Sequence, residues 1–172
     1  MHPSEFDDFH EVLFRLLAAM VLGGIIGIDR DLHHKPAGLR VLAMVGVGSA
    51  LAAMVALTAA AKQQVITYDG LTRVMQGILQ GIGFLGAGVI MRAQGRDEVH
   101  GLTTAAAIWL TAVVGVTCGT GMWHLALSTL FVAVLILSLG RRLEKFILTV
   151  TPLPENDIPA EKKTAENPPQ HS

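Results

Sequence analysis

Apolar positions along the chain gather into five long runs separated by short polar breaks: Phe9–Ile28, Leu39–Ala61, Leu71–Met91, Leu102–Cys118 and Met122–Leu139. A helix needs about 20 residues to cross the hydrocarbon core of a bilayer. The second and third runs meet that length outright. The fourth and fifth are shorter, and Gly119-Thr120-Gly121 between them reads as a tight turn. Five such runs in succession, with almost no amphipathic surface helix between them, predict an all-α polytopic membrane protein with five transmembrane helices rather than a soluble bundle. After Leu139 the pattern changes. Arg141, Arg142 and Lys145 form a basic flank, and a polar, proline-rich tail over 149–172 carries too little apolar surface to fold, so it is expected to be disordered. The expected organisation is a membrane domain over 1–148 followed by that tail.

Within the third run, a 100° projection places Arg73, Gln76, Gly77, Gln80, Gly81, Phe84, Ala87 and Gly88 on one face. Leu71, Met75, Ile78, Ile82, Leu85 and Val89 lie opposite. Polar and small residues thus share one side and large aliphatic ones the other. Small residues let helix backbones approach closely in lipid, where burial from water supplies no drive to association. Gly77, Gly81 and Gly88 are therefore expected to be packing sites. The first run repeats the theme, with Arg15, Ala19, Gly23 and Gly27 four apart along one ridge, so Gly23 and Gly27 are expected to pack as well. Glu11 stands one turn before Arg15, in place for an i,i+4 ion pair. Two readings of the arginines remain open. Each snorkels to the nearer interface, or Glu11, Arg15, Arg73, Gln76 and Gln80 form one polar cluster inside the bundle, which the short amides of Gln76 and Gln80 favour.

The stretch "GIGFLGAGVIMR" contains a literal G-x-G-x-x-G at Gly81, Gly83 and Gly86. A dinucleotide-binding turn needs a strand before the glycines and a helix after them. Here the preceding LTRVMQGILQ shows no strand alternation, and the motif sits inside a run of membrane-spanning length. The glycines are read as packing sites, and no cofactor is expected.

Composition agrees with the pattern. Hydrophobic residues make up 51% of the chain and charged ones 16%, against about a quarter charged in a soluble domain. A formal net charge of −1 offers no electrostatic case for nucleic acid. One cysteine, Cys118, excludes an intrachain disulfide and a multi-cysteine metal cluster. The acidic N-terminus MHPSEFDDFHE is a poor start for a cleaved signal peptide. Basic residues Arg30, Lys35, Arg40, Arg92, Arg96, Arg141, Arg142 and Lys145 gather on one side, against Lys62 and Arg73 on the other, so the expected orientation has the N-terminus outside and the C-terminus in the cytoplasm.

Three blocks carry a resemblance: "GGIIGIDRDLHHKPAGLRVLAMVGVGSAL" (Gly23–Leu51), "QGIGFLGAGVI" (Gln80–Ile90) and "VHGLTTAAAIWLTAVVG" (Val99–Gly115). In this order, over about Leu16 to Gly121, the chain resembles the MgtC/SapB family of bacterial inner-membrane proteins. The resemblance implies a five-helix membrane domain with an outside N-terminus, a link to growth in low magnesium and, in some pathogens, survival inside host cells. Asp29-Arg30-Asp31 stands where members commonly show Glu-Arg-Glu. MgtC-type members carry a folded cytoplasmic domain after the last helix, and this chain resembles the membrane-only, SapB-like members instead.

The loop "DRDLHHKPAGLR" holds the remaining candidate chemistry. Asp29, Asp31, His33 and His34 fall within six residues, and hard Mg²⁺ accepts one or two carboxylates with retained waters. The plainer reading is an interfacial charged turn in which Asp29 and Asp31 pair with Arg30, Lys35 or Arg40, with no metal held. Pro36 suits the first turn of the second helix and Gly38 a tight bend. Thr103 or Thr104 is the expected N-cap of the fourth helix, and exposed N–H groups there, beside Arg92 and Arg96, would attract an anion such as a lipid headgroup. Two function classes follow. One is a non-enzymatic modulator acting by helix contact on another integral membrane complex or on ion homeostasis; the other is a Mg²⁺ or other ion transporter. No carboxylate falls at mid-helix, no nucleophile–base pair is evident, and no catalytic residue is expected. The expected partners are the lipid bilayer, another membrane complex and, through the glycine-lined faces, a second copy.

Overall fold

A computed structural model describes residues 8–62, 69–92 and 101–150, with side chains described over 8–61, 70–90 and 101–140. The chain divides into two units, residues 1–137 and 138–172. Five helices follow one another: α1 Phe9–Leu32, α2 Leu39–Lys62, α3 Asp69–Arg92, α4 Leu102–Gly119 and α5 Trp123–Val150. All five are long and apolar enough to cross a membrane, and no strand occurs among the described residues. The protein is a multi-pass helical membrane protein. Of the tail expected to be disordered over 149–172, residues 149 and 150 belong to α5 and 151–172 lie outside the described residues, as do the side chains of Arg92 and Arg96, beside which an anion is expected.

The observed helices overrun the apolar runs at charged ends. α1 continues through Asp29-Arg30-Asp31 to Leu32, and α5 continues through the basic flank to Val150. The hydrophobic run marks where lipid begins and ends, whereas the helix persists until its backbone groups find other partners. At the start of α1 that role falls to Asp8, whose carboxylate accepts from the His10 backbone N–H at 3.0 Å.

The core is a three-helix unit of α1, α2 and α4 joined by glycines. A side chain at Gly23 would meet the Leu42 carbonyl oxygen at 2.7 Å, and one at Gly46 the Ala19 carbonyl oxygen at 2.7 Å. One at Gly115 would meet the Gly46 carbonyl at 2.3 Å, and one at Gly119 the Ala50 carbonyl at 2.4 Å. The order of these contacts shows α1 running antiparallel to α2 and α2 running parallel to α4. Backbones this close leave space only for small residues, which is the packing that lipid favours. Ala19, Leu22, Ala50, Val114, Cys118 and Ala126 form one buried cluster. Ile26, Leu42, Ala107, Ile108 and Ala133 form a second. α3 packs through its aliphatic side, with Ile82 and Val89 against the second cluster and Gly86 against Ala105.

Candidate functional site

Two arginines of α1 turn inward and grip α4 at both of its ends. Arg15 is 3% exposed. Its Nε donates to Glu11 Oε1 at 2.6 Å, the expected i,i+4 pair, and its Nη1 donates to the Gly119 carbonyl at 2.9 Å. α4 ends here in a Schellman arrangement: the Met122 N–H reaches the Thr117 carbonyl at 2.9 Å and the Gly121 N–H the Cys118 carbonyl at 3.0 Å. That pattern leaves the Gly119 carbonyl without an intrahelical donor, and Arg15 supplies one. The cation also faces the partial negative charge at the helix C-terminus. Gly121, at φ 74°, packs directly on the guanidinium, and a side chain there would sit 3.1 Å from both Nη atoms.

Arg30, 2% exposed, does the matching work at the other end. Its Nη2 donates to Thr104 Oγ1 in the first turn of α4, and Nε and Nη2 approach the Pro36 carbonyl at 3.4 Å. Arg15 and Arg30 are fifteen residues apart on α1, as Thr104 and Gly119 are on α4. At 1.5 Å per residue both pairs span about 22 Å. The two antiparallel helices are thus clamped in one register, with Gly23 and Thr111 meeting midway.

This geometry resolves the two readings of the polar residues in favour of neither. Arg15 neither snorkels nor joins a five-residue cluster: it is buried with Glu11 and the end of α4. Arg73, Gln76 and Gln80 lie elsewhere and are exposed on the open face of α3. The glycines divide the same way. Gly23 and Gly27 are close-contact sites, and a side chain at Gly27 would meet Leu39 Cα at 2.5 Å, whereas Gly77, Gly81 and Gly88 face nothing within 4 Å. The hydrophobic ridge of α3, not its glycine ridge, faces the bundle. α4 also starts differently from expectation. Its N-cap is Gly101 in the left-handed region, with no side-chain cap. Thr104 is committed to Arg30, and Thr103 is exposed.

In the loop after α1, Asp31 caps α2: its Oδ2 accepts from the Leu39 N–H at 2.9 Å. Gly38 lies against that carboxylate, 1.6 Å from Asp31 Oδ1 for an added Cβ, so it is small to admit the cap. The bend itself is made at His34 (φ 51°) and Ala37 (φ 59°). Pro36 precedes α2 rather than opening it, and its carbonyl serves Arg30. His33 Nδ1 is 2.6 Å from the Asp29 carbonyl oxygen. Lys35 and Arg40 are exposed. Among the described residues no three His, Cys, Asp or Glu side chains converge to hold a metal ion.

Sequence reasoning found the turn at Gly119-Thr120-Gly121 but missed the packing of Gly46, Gly115 and Gly119 and the seat of Arg15 on Gly121, although Gly115-x₃-Gly119 carries the same four-residue spacing as Gly23-x₃-Gly27. It also missed the inward turn of Arg30, for which nothing in the local pattern distinguishes a buried arginine from a basic flank.

Comparison with known proteins places this bundle. The chain is 42% identical over 144 residues to SrpB of Synechococcus elongatus, covering 80% of this chain and 79% of that protein. It is 43% identical over 116 residues to MgtC of Salmonella typhimurium, covering 67% of this chain and 46% of that protein. An uncharacterized protein of Haemophilus influenzae is 38% identical over 120 residues, 67% of this chain and 50% of its own length. The chain therefore spans about half the length of the latter two relatives. No solved structure matches it. The model of the MgtC family matches residues 16–146, a span that begins one residue after Arg15 and contains Arg30, Thr104, Gly119 and every glycine contact of the core, and the chain belongs to the MgtC family.

Proposed function

We propose that the protein is a non-enzymatic modulator in the bacterial inner membrane, with its N-terminus outside, acting on another integral membrane complex or on ion homeostasis. Its family links it to adaptation to low magnesium and to virulence. The observation that carries this reading is the interior of the bundle. The α1–α2–α4 unit is filled by backbone-to-backbone contact at its glycines, and the buried charged groups among the described residues, Arg15 and Arg30, are both cations at its two ends. A dication path needs oxygen ligands along its length, and this interior offers guanidinium groups at the ends and, between them, alkyl groups with the hydroxyls of Ser49 and Thr111, the latter already donating to the Ala107 carbonyl at 2.8 Å. A packed, positively plugged core suits a protein that works through its outer surface.

A second reading, an ion transporter, is favoured by one feature: Gln76 and Gln80 present amide oxygens on the open side of α3, outside that core. Reconstitution separates the two. Liposomes carrying the purified protein and a Mg²⁺-sensitive dye should take up no more Mg²⁺ than protein-free vesicles. Saturable uptake that disappears in Gln80→Ala would replace the modulator reading with the transporter.

A further inference from the structure

One hydroxyl in the middle of the bundle is left without work. Ser49 is 5% exposed and packs on α4, where a side chain added at Gly115 would lie 2.9 Å from its Cβ. Thr58, Thr111, Thr117 and Ser128 each donate to a carbonyl of their own helix. Ser49 has no hydrogen-bond partner among the described residues, and no unpartnered side-chain oxygen there is fully sealed. Its opening is the groove that it lines. That groove, of about 450 Å³, runs between Val41–Ser49 of α2 and Gly77–Leu85 of α3, and Ser49 alone among its lining residues carries a polar side chain. Gly48, Gly77 and Gly81 widen it, with nothing within 4 Å of an added Cβ. Ser49 stands ten residues after Leu39, about 15 Å along an axis of about 36 Å, so the hydroxyl meets the groove deep in the hydrocarbon.

We propose that the groove binds an isoprenoid quinone, with a ring carbonyl accepting from the Ser49 hydroxyl and the ring lying edge-on against the glycines. Size and chemistry select this class together. Each wall is eight residues long, about 12 Å, so the groove has a section of about 40 Å². A helix with its side chains is about 10 Å across, roughly twice that section, so a thinner occupant is required. The volume is that of small-molecule sites, which pair apolar walls with a few polar groups that fix orientation. A phospholipid keeps its ester oxygens at the interface, and its acyl tail brings no acceptor to the depth of Ser49. A quinone ring is neutral, flat and apolar, and it carries carbonyl oxygens into the hydrocarbon. There no water competes for the donor. This inference goes beyond the modulator reading and does not depend on it.

Thermal melts of the full chain in detergent test it, with decylubiquinone as the probe and hexadecane, which has no acceptor, as its control. Decylubiquinone should raise the melting midpoint of the wild type in a saturable manner, and hexadecane should not. Ser49→Ala should weaken decylubiquinone binding by about tenfold, the loss of one hydrogen bond. Its melt without ligand should match the wild type, because the hydroxyl has no internal bond to lose. Gly81→Val fills the groove where the bundle offers open space, so it should abolish the shift and leave the unliganded melt unchanged. An azidoquinone should label peptides within 41–49 or 77–85. The proposal is overturned if decylubiquinone leaves the wild type unshifted or hexadecane shifts it equally. Undiminished binding in Ser49→Ala, or labelling confined to other segments, overturns it as well.

Discussion

α1 and α3 are alike on paper and opposite in the fold. Each has 24 residues, an arginine within its first two turns and glycines four apart on the ridge that follows. In α1 that ridge is the buried one: Arg15, Ala19, Gly23 and Gly27 all face α2 or α4. In α3 the corresponding ridge is open, and the aliphatic side makes the contacts. A glycine stripe in a membrane helix thus marks a surface able to come close to another helix, without saying whether that helix is in the same chain. What decides is whether a neighbour offers matching chemistry. Arg15 finds a free carbonyl at the end of α4, whereas Arg73 and the two glutamines find no equivalent among the described residues.

The largest effect should come from the arginines. Arg15→Met leaves the Gly119 carbonyl without its donor and Glu11 without its partner, and should lower stability by about 2–4 kcal/mol. The upper end is softened because the Glu11 side chain is a third exposed and can rehydrate. Arg73→Met should change the stability of the bundle by less than about 0.5 kcal/mol. Thermal melts by circular dichroism in detergent, run side by side, would show equal losses if the two helices were equivalent.

Glycines come next. Gly115→Ala places a methyl group 2.3 Å from a backbone oxygen that cannot move aside, and a cost towards the top of about 1–3 kcal/mol is expected. Gly88→Ala, facing open space, should be neutral or stabilising by about 0.4–1 kcal/mol through the unfolded chain. Denaturation midpoints in mixed micelles measure both, and a destabilised Gly88→Ala would place α3 wrongly.

Thr104→Val removes the hydroxyl that receives Arg30 and should cost about 1.5 kcal/mol, with hydrogen exchange quickening at both the end of α1 and the start of α4. The exposed neighbour Thr103→Val should do neither. The smallest effect is Asp31→Ala, which strips the cap from α2 for about 1 kcal/mol. Its signature is fraying confined to the first turn of α2, and the loss should be absent in Asp31→Asn, whose amide oxygen still accepts from Leu39.

Much of the architecture is legible because lipid imposes a simple rule. A run near 20 apolar residues has one stable conformation in hydrocarbon, so Leu39–Ala61 and Leu102–Cys118 announce α2 and α4 almost residue for residue. The Glu11–Arg15 pair is equally local, since four residues of helix bring the groups together whatever surrounds them. The candidate site was legible only in part. Its second half comes from α4, over a hundred residues from Arg15, and no periodicity within α1 reveals that a carbonyl at Gly119 is left free by the way α4 ends. Thr104 shows the same limit. A threonine at a helix start is read as a cap, until a buried arginine from another helix claims its oxygen.

By itself, then, the sequence determined the number of helices, their approximate limits, the ion pair within α1 and the family to which the chain belongs. Each rests on neighbours in the chain or on the length scale of the bilayer. Only the tertiary structure decided which glycine ridge is buried, which arginine is enclosed and what Thr104 and Asp31 do. Those outcomes depend on a match between surfaces far apart in sequence: the equal fifteen-residue spacings on α1 and α4 that bring two cations onto two oxygen atoms at once.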